Sequence, residues 1–510
     1  MHLHGYSSVS QCKNFEQVFR LLEDGEGAQK KDLTRNSTFL VSRLLGALQC
    51  RIETRCSSIR SMEETENKLA WEWHRRSRNG REETENKLAR EWRRRSRNGR
   101  EETENKLARE WHRRPRNGQS QKQLEATGFA CQSDVHTNVC VSSRPIRIDT
   151  RTMKVYAPFS QAMTRQANRT ISPYPRREDK TAMEYVSSVQ ILQGNIARPP
   201  ACRYTHNVPA VVFSSGGFTG NIFHEFNEVI IPLFLTTRHF QSRLHFVVTD
   251  FRPPFVAKYS KVLSRLSSYE VINPAANQSV HCFPGAVIGL HYHENIAVKP
   301  TDYVPEGYSM LDFTQFLRDS FNLKKRDLSQ MEKPVLVLIS RSKTRMFLNE
   351  DQMVTMMKTL GFNVVIAKPD TMADVDKFAE VMNSCNVLVG AHGAGLTNEV
   401  FMPQGAVMVQ VVGLNLEWVS TTYFGGPARE MGLKYIEYKI EPEESSLTSL
   451  YGKNHPIITD PASIEAKGYR VGRAVYLEEQ NFNINVVRFR KTLVQALELL
   501  GRSAPLGKVF

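Results

Sequence analysis

From about Lys154 onward, apolar runs of strand length alternate with amphipathic stretches of helical length, and this alternation restricts the fold more than any other feature of the chain. Such a pattern is typical of α/β architecture. It forms two blocks, separated by the charged segment 324–333. The first block predicts strands 209–215 and 244–250 and helices 221–240 and 255–267. The second predicts strands 335–340, 363–367, 386–390 and 406–412 and helices 349–360 and 374–384.

The two blocks predict two Rossmann-like domains that face a cleft, at 154–330 and 331–510, because 510 residues exceed what one core normally organises. Ligands of such sheets bind at the carboxyl ends of the strands. In the second block, Asn349 with Gln352 predicts a helix cap, and Gly361 predicts the end of that helix. Residues 1–61 predict no clear fold, and residues 119–153 are interpreted as a linker. Deletion of residues 1–150 is therefore expected to leave the fold intact.

A tandem repeat of 19 residues, EETENKLA-x-EW-x-RR-x-RNG, precedes the linker. Its copies span 63–81, 82–100 and 101–118. One interpretation is an arginine-rich arm that binds nucleic acid, with Trp73, Trp92 and Trp111 as stacking platforms. The interleaved glutamates and the few apolar positions favour a solvated, duplicated segment instead. We therefore expect no nucleic-acid partner.

The net charge of +15 favours anionic partners, but it does not distinguish nucleic acids, membrane surfaces, acidic polysaccharides and phosphorylated small molecules. None of the eight cysteines forms a C-x-x-C pair, so a metal site is not expected. The best candidate for a membrane anchor, residues 39–48, is too short and is interrupted by Arg43. N-glycosylation sequons at Asn36, Asn168 and Asn277 suit a secretory protein.

A glycine-rich stretch, GAHGAGLTN, follows the predicted strand 386–390. Small residues let the backbone approach a ligand, and the first N–H groups of the following helix can bind phosphate. The predicted phosphate contacts are His392, Gly393, Ala394, Gly395, Thr397 and Asn398. The glycine order disfavours a dinucleotide site. A tight strand-to-helix turn without a ligand is the alternative.

Arg341 and Arg345 follow the first strand of the second block, at the edge where ligands bind. Arginines there can grip a diphosphate bidentately and offset the negative charge on a departing nucleotide. We expect Arg345 to be the main clamp. The alternative is that both are ordinary surface residues.

Asn221, His224 and Glu228 share one face of the predicted helix 221–240, directly after the glycine turn 216–220. A histidine and a carboxylate one turn apart can share a proton transfer, so these three are candidate catalytic residues. We expect His224 to contact a substrate hydroxyl and Glu228 to orient it or to accept its proton through the pair. A surface ion pair is the alternative.

With these motifs, the stretch 211–501 resembles glycosyltransferase family 61, in particular the xylan arabinosyltransferases and xylosyltransferases of grasses. The resemblance covers more than half of the chain. Its segments are SGGFTGNIFHEFNEVIIPLF from Ser215, FPGAVIGL from Phe283, ISRSKTRMFLNE from Ile339, VGAHGAGLTNEVFMPQGAVMVQVV from Val389 and YKIEPEESSL from Tyr438.

The resemblance implies a GT-B-like fold, a UDP-sugar donor, inversion at the anomeric carbon, and a Golgi membrane protein that acts on xylan. The family's N-x-x-H-x-x-x-[DE] pattern falls on Asn221, His224 and Glu228. Its arginine motif falls on Arg341 and Arg345, and its HGAGLTN loop on 392–398. Family members carry an anchor helix near the N-terminus, and none is visible in the first 150 residues of this chain.

We therefore expect an inverting transferase that moves arabinofuranose, in α-1,3 linkage, from UDP-arabinofuranose to the xylan backbone. Transfer of xylose from UDP-xylose is the alternative. Arg341, Arg345 and helix N–H groups would meet the phosphate charge, so no obligatory metal cofactor is expected. Two rivals come from other classes: a nucleic-acid-binding protein driven by the repeats, and a non-catalytic scaffold for other xylan synthases. Other xylan synthases are also expected partners of this chain.

Overall fold

The computed structural model describes residues 118–157, 167–193, 199–298, 308–324 and 332–503. Residues 1–61, the repeats up to residue 117, the sequon at Asn36 and most of the predicted junction 324–333 lie outside the described residues. All described residues fall in one unit of the chain, Arg97–Phe510.

The strands of the described residues are short and form three sheets. In chain order they are β1 (Phe129–Ser133), β2 (Asn138–Ser142), β3 (Ile146–Asp149), β4 (Lys154–Ala157), β5 (Ala167–Ile171), β6 (Val189–Gln193), β7 (Tyr204–Thr205), β8 (Ala210–Ser214), β9 (His245–Thr249), β10 (Val280–Phe283), β11 (Ala286–Ile288), β12 (Val335–Ile339), β13 (Asn363–Ala367), β14 (Val387–Ala391), β15 (Val407–Val412) and β16 (Lys434–Lys439).

The α-helices of the described residues are α1 (Gly118–Thr127), α2 (Lys180–Met183), α3 (Ile222–His224), α4 (Ile231–Thr237), α5 (Pro253–Lys258), α6 (Ser260–Leu266), α7 (Met310–Phe321), α8 (Glu350–Thr359), α9 (Pro369–Ala373), α10 (Val375–Asn383), α11 (Glu417–Ser420), α12 (Gly426–Glu430), α13 (Ser446–Tyr451), α14 (Pro456–Thr459), α15 (Pro461–Glu465), α16 (Tyr469–Arg473) and α17 (Val486–Leu499). The π-helical segments are Glu225–Ile230, Thr421–Gly425 and Ala474–Glu479, and the 3-10 segments are Arg238–Phe240, Ala394–Phe401 and Pro442–Glu444.

The second block forms a fully parallel sheet in the order β13-β12-β14-β15-β16. Strands β12, β14 and β15 are buried along their whole length, as expected for a parallel sheet that is covered on both faces. The four strands predicted from the sequence are confirmed to within one residue at each end. Strand β16, whose residues alternate between buried and less buried, was not predicted.

The first block is more complex than a parallel Rossmann-like domain. Its first sheet has the order β1-β2-β11-β8-β9. Strands β11, β8 and β9 run parallel to one another, whereas β2 runs antiparallel to both of its neighbours, β1 and β11. A second, mixed sheet has the order β5-β6-β4-β3-β10-β7. It packs against the first sheet through an apolar cluster to which both sheets contribute residues. Only β8 and β9, which are apolar and buried over nearly their whole length, were predicted; most of the other strands contain more polar residues. The described chain is therefore mixed α/β with several sheets.

The interpretation of residues 119–153 as a linker was wrong. The segment contains most of α1 and all of β1, β2 and β3. Strand β2 pairs with β11 and strand β3 pairs with β10, so both are integral to the sheets. These strands have only four or five residues each and give too little apolar periodicity to be seen in the sequence.

One apolar core runs through both blocks. The ring of Phe226 lies 5.8 Å from that of Phe401 and 6.3 Å from that of Phe313. Helix α7 was assigned to the first block, yet the ring of Phe321 near its end packs at 5.4 Å against Phe401 of the second. The two blocks therefore share a packed core, whereas the sequence predicted domains that only face each other across a cleft.

Two disulfides tie the first block together, a pattern that the sequence left open. Cys131 and Cys140 join the paired strands β1 and β2. Cys202 and Cys282 join the segment before β7 to β10, across 80 residues of sequence. Cys385 is buried and free.

Three local expectations about helices are corrected. Asn349 occupies the N-cap position of α8, and its Nδ2 donates to Oε1 of Gln352 at 3.3 Å. Its side chain makes no capping bond to the helix backbone, because it is hydrogen-bonded to the backbone of Ile484 instead (Nδ2 to O 2.8 Å, Oδ1 from N 2.9 Å). Gly361 ends that helix as predicted, with φ of +87°. The predicted helix 255–267 breaks at Tyr259 into α5 and α6. The predicted helix 221–240 is present without a gap, but the turn at its centre, Glu225–Ile230, is π-helical.

Candidate active site

The glycine turn after β8 places the start of α3 at the carboxyl edge of the first sheet. A Cβ atom on Gly216 would lie 2.0 Å from the carbonyl oxygen of Tyr185, and Gly217 has φ of +55°, so this turn requires glycine. The Oδ1 atom of Asn221 accepts the backbone N–H of Phe223 at 3.0 Å. Asn221, predicted as catalytic, therefore acts in the structure as the N-cap of α3.

The π-helical turn Glu225–Ile230 carries two buried carboxylates that point to different partners. Glu225 accepts from Lys258 at 2.6 Å and from the Tyr259 hydroxyl at 2.7 Å. Glu228 is fully buried and accepts from His224, Tyr174 and Arg176. A π-helical turn inside an α-helix is a frequent mark of functional sites.

The predicted pair of His224 and Glu228 is confirmed as a contact. Nδ1 of His224 lies 2.6 Å from Oε1 of Glu228, and the histidine side chain is 21% exposed while the carboxylate is 0% exposed. An ionised carboxylate can only accept hydrogen bonds, so a neutral imidazole paired with it in this geometry carries its proton on Nδ1 and its lone pair on Nε2. The pair thus places a basic nitrogen at the accessible end of a buried carboxylate.

Tyr174 and Arg176 were missed by sequence reasoning. Arg176 donates from Nη1 to Oε1 of Glu228 at 2.9 Å, and the Tyr174 hydroxyl donates to Oε2. Burial, and then the Glu228 charge, raise the pKa of Tyr174, so its hydroxyl stays protonated. Arg176 has φ of +123°, a strained value that marks functional positions. The only sequence signal was a loop, SPYPRRED, that no spacing rule selects. We call Tyr174, Arg176, His224 and Glu228 the carboxylate cluster.

Arg341 and Arg345 follow β12, and the histidine–glycine loop follows the neighbouring β14. The chain leaves these two strands in opposite directions, toward β13 and toward β15, which makes this edge a topological switch point. A Cβ atom on Gly393 would lie 2.4 Å from Nη1 of Arg341. The structure therefore brings the two predicted motifs into contact.

Neither arginine forms an ion pair with any residue that the structure describes. Arg341 donates from Nε to the carbonyl of Thr344 at 2.7 Å. Arg345, with φ of +53°, has a buried Nε without a partner among the described residues. Burial lowers the pKa of Arg345 to about 10, and the charges of Arg341 and Arg473 act in the same direction. The charge of Glu478 acts on Arg345 in the opposite direction. Two half-buried cations that form no salt bridge with the described residues are suited to an anionic ligand.

His392 lies in the same cluster and is neutral near pH 7. Burial, and then the charges of Arg345 and Arg341, lower its pKa to about 3. The side chains of Thr397 and Asn398 are buried, and Nδ2 of Asn398 donates to the carbonyl of Gly395 at 2.9 Å. These two predicted phosphate contacts are therefore placed to support the loop. Arg341, Arg345, His392 and Gly393 lie next to one another, and we call these four residues the arginine cluster.

Aromatic rings connect the two clusters. The ring of Phe223 lies 5.3 Å from His224, 5.5 Å from Tyr423 and 5.8 Å from Phe424, and Phe424 lies 5.4 Å from His392. Tyr423 and Phe424 belong to the second π-helical turn, Thr421–Gly425. The third π-helical turn, Ala474–Glu479, directly follows Arg473, whose charge acts on Arg345. All three turns thus lie at one site.

The structure also shows where the predicted glycosylation sites and the remaining sequence features lie. Asn168 is exposed on β5 and Asn277 is half-buried in a loop. The second block also contains a D-x-D sequence, Asp374-Val375-Asp376, a spacing that can bind a metal ion; it lies at the start of α10, and its carboxylates form ion pairs with Lys377 and Lys261 instead. The described residues contain no group of three side chains suited to a metal ion. None of their helices is long and apolar enough to span a membrane.

Comparison with known proteins matches residues 222–409 to the model of the family Glycosyltransferase 61. That range contains His224, Glu228, both arginines and the histidine–glycine loop.

Three curated relatives are similar over most of this chain. The alpha-1,3-arabinosyltransferase XAT3 of Oryza sativa subsp. japonica is 38% identical over 72% of this chain and 64% of its own length. The xylan glycosyltransferase MUCI21 of Arabidopsis thaliana is 33% identical over 71% and 77%. The beta-1,2-xylosyltransferase XYXT1 of Oryza sativa subsp. japonica is 35% identical over 72% and 83%. The chain spans just under two thirds of the arabinosyltransferase and more of the other two relatives, and it belongs to glycosyltransferase family 61.

Proposed function

We propose that the chain is an inverting glycosyltransferase that moves a pentose from a UDP-sugar to the backbone of xylan. One observation carries the proposal: a histidine held by a buried carboxylate is connected, through the rings of Phe223 and Phe424, to His392 and the two neighbouring arginines that form no salt bridge with the described residues. An inverting transfer needs both groups, a base for the acceptor hydroxyl and cations for the departing diphosphate.

The arginine cluster would hold the diphosphate of the donor. Its arginines come from the loop after β12 and its glycine from the loop after β14, so the diphosphate would sit at the switch point. Gly393 leaves room for the arginine and for close approach of a ligand to the backbone. Binding of an anion would supply the counter-charge that the half-buried guanidinium groups lack.

The carboxylate cluster would supply the base. Nε2 of His224 takes the proton of the acceptor hydroxyl while that oxygen forms its bond to the anomeric carbon. The bond from this carbon to the UDP oxygen breaks, and UDP leaves with the electron pair, its added charge met by Arg341 and Arg345. Glu228 keeps the ring of His224 oriented and stabilises the imidazolium that forms.

We also propose the GT-B-like arrangement of two nucleotide-binding-type domains. The parallel sheet β13-β12-β14-β15-β16 supports the donor-side domain, and the parallel strands β11, β8 and β9 support the acceptor-side domain. On this proposal, β1, β2 and the mixed sheet are additions to the acceptor side.

Arabinofuranose in α-1,3 linkage is the first choice of transferred sugar, supported by the name of the rice arabinosyltransferase. Xylose is the second candidate, because a beta-1,2-xylosyltransferase is similar over the same share of the chain. A neutral pentose of either kind would be compatible with the same base and the same phosphate clamp.

We propose further that the transfer needs no obligatory metal, since Arg341 and Arg345 place two cations where the diphosphate would lie. We propose the Golgi lumen as the site of action. The two disulfides and the exposed sequon at Asn168 support an oxidising, glycosylating compartment.

Transfer assays on the full chain test the proposal. The chain is incubated with UDP-arabinofuranose or UDP-xylose and linear β-1,4-xylo-oligosaccharides, with and without EDTA, and the products are identified by mass and linkage analysis. Growth of the acceptor by one pentose, unaffected by EDTA, is the expected result. Donor binding without transfer or hydrolysis would favour a non-catalytic scaffold. Salt-sensitive binding to nucleic acid that resides in residues 62–118, without sugar transfer, would favour the other rival.

A further inference from the structure

Trp418 is the one tryptophan of residues 118–510, since the other four, Trp71, Trp73, Trp92 and Trp111, lie in the repeats. It lies on α11, which begins shortly after β15 at the edge of the sheet that carries the arginine cluster. Its side chain is 69% exposed. The indole therefore contributes little to the core and keeps a face open to a ligand.

This exposed ring is linked to the interior of the site through Tyr423. The two rings lie 6.0 Å apart, and Tyr423 is in turn 5.5 Å from Phe223 and 6.3 Å from His392. The π-helical turn Thr421–Gly425 follows α11 directly and turns Tyr423 inward, while Trp418 on the preceding turn stays outside. Trp418 thus lies at the rim of the site, on a row of rings that leads to both clusters.

The charges around Trp418 select the kind of ligand. Glu417 beside it is exposed and forms no salt bridge with the described residues, whereas Glu437, which accepts from the hydroxyl of Thr421 at 2.8 Å, lies 3.7 Å from Nζ of Lys439. The carboxylate of Glu417 would repel a phosphate or an acidic sugar. A neutral sugar ring carries no such penalty, and its C–H faces pack well against an aromatic plane.

We propose that Trp418, supported by Tyr423, is a stacking platform for a neutral sugar ring of the acceptor chain, next to the ring that receives the pentose. The inference rests on the proposed function and deepens it, because it gives a polymeric acceptor a contact outside the point of transfer. Trp418 determines specificity for acceptor length and takes no part in the chemistry.

A binding experiment tests the platform without turnover. In the full chain, Trp71, Trp73, Trp92 and Trp111 are replaced by phenylalanine, so that Trp418 is the only tryptophan. Xylohexaose is titrated in the presence of UDP, and UDP is titrated alone. A saturable change in tryptophan emission with xylohexaose, and none with UDP alone, is expected. An equal change with UDP alone would assign Trp418 to the nucleotide and overturn the proposal.

A kinetic experiment tests specificity. Trp418→Ala is expected to raise KM for xylohexaose about 5- to 30-fold, the effect of one lost stacking contact, and to change KM for xylobiose much less. The turnover rate and UDP affinity should stay unchanged, and Trp418→Phe should recover part of the loss. Leu450→Ala, at a side chain that is 65% exposed on α13, is the control and should behave as wild type.

The outcomes separate the two proposals. If the wild-type chain neither binds nor extends xylo-oligosaccharides, the proposed function fails, and the platform fails with it. If the wild type extends them but Trp418→Ala has the same KM for xylohexaose, only the platform is overturned. A loss of UDP affinity in Trp418→Ala would also overturn it, since the defect would then lie on the donor side.

Discussion

The carboxylate cluster and the arginine cluster handle buried charge in opposite ways. Glu228 is fully buried but receives three donors, from His224, Tyr174 and Arg176. Arg341 and Arg345 are half-buried, and neither forms a salt bridge with a carboxylate among the described residues. The first cluster is complete before a ligand arrives, whereas the second becomes electrostatically balanced only with an anion in place.

On the proposed function, this difference separates two tasks of one site. A base must hold one orientation and one tautomer through every turnover, so its partners belong to the protein. A phosphate clamp must bind and then release its ligand, so its missing counter-charge belongs to the substrate. Substitutions in the carboxylate cluster should therefore affect folding as well as turnover, and those in the arginine cluster should affect binding far more than folding.

The largest effect is expected from truncation. A chain that begins at Arg151 loses β1, β2 and β3. Because β2 pairs with β11, and β3 pairs with both β4 and β10, each sheet of the first block would lose part of its hydrogen bonding, and the chain should fail to fold. A chain that begins at Gly118 keeps these strands and should melt cooperatively. Thermal melts and solubility of the two chains decide the point. Cooperative melting of the shorter chain would show that the carboxylate cluster does not need these strands.

Glu228→Gln should lower the turnover rate by at least about a hundredfold, because it removes the charge that stabilises protonated His224, and it should spare UDP binding. It should also lower the melting temperature, since Arg176 would lose its counter-charge. Glu225→Gln is the matched control, a buried carboxylate three residues earlier with different partners. It should cost stability but much less turnover.

Near-normal turnover of Glu228→Gln beside an inactive His224→Ala would place the base function on the histidine alone. In that case the carboxylate cluster would be a structural unit, and its contrast with the arginine cluster would lose its catalytic meaning.

Arg345→Ala should weaken UDP binding by about 1.5–3 kcal/mol, the range for a charge-assisted hydrogen bond, and should change the melting temperature little. Arg341→Lys should also weaken binding, because an ammonium group cannot replace a bidentate fork. Calorimetry with UDP measures both variants, and exposed Arg470→Ala serves as the control. Unchanged affinity in both variants would remove the arginine cluster from the donor site.

The smallest effect concerns Glu399, which is fully buried behind the histidine–glycine loop with no hydrogen-bond partner among the described residues. Burial raises its pKa well above the usual value, so the folded state holds the proton and stability falls as pH rises above about 4.5. Glu399→Gln should raise the melting temperature at pH 7, with a smaller gain at pH 5. Glu444→Gln, at a buried glutamate paired with Arg488, should lower it. Equal responses of the two variants would contradict this account.

The sequence predicted the sheet of the second block well and the sheets of the first block poorly, for a physical reason. Strands such as β12 and β14 are buried on both faces and are therefore uniformly apolar. The strands β1–β7 are short and half polar, so they leave no clear period. In the same way, the contact of His224 with Glu228 follows from helical spacing. Tyr174 and Arg176 reach Glu228 from a loop more than 50 residues away, and only tertiary structure shows that.

The core shared by the two blocks has a mechanical consequence. Phe226, Phe313, Phe321 and Phe401 pack ring against ring across the boundary between the blocks, so a rotation of one block away from the other would expose these rings to water. The cost of that exposure makes a wide hinge unsuited as the gate for substrates. On the proposed function, we expect short segments at the rim, such as the loop after β12, to admit and release the substrates, and the radius of gyration should be the same with and without UDP.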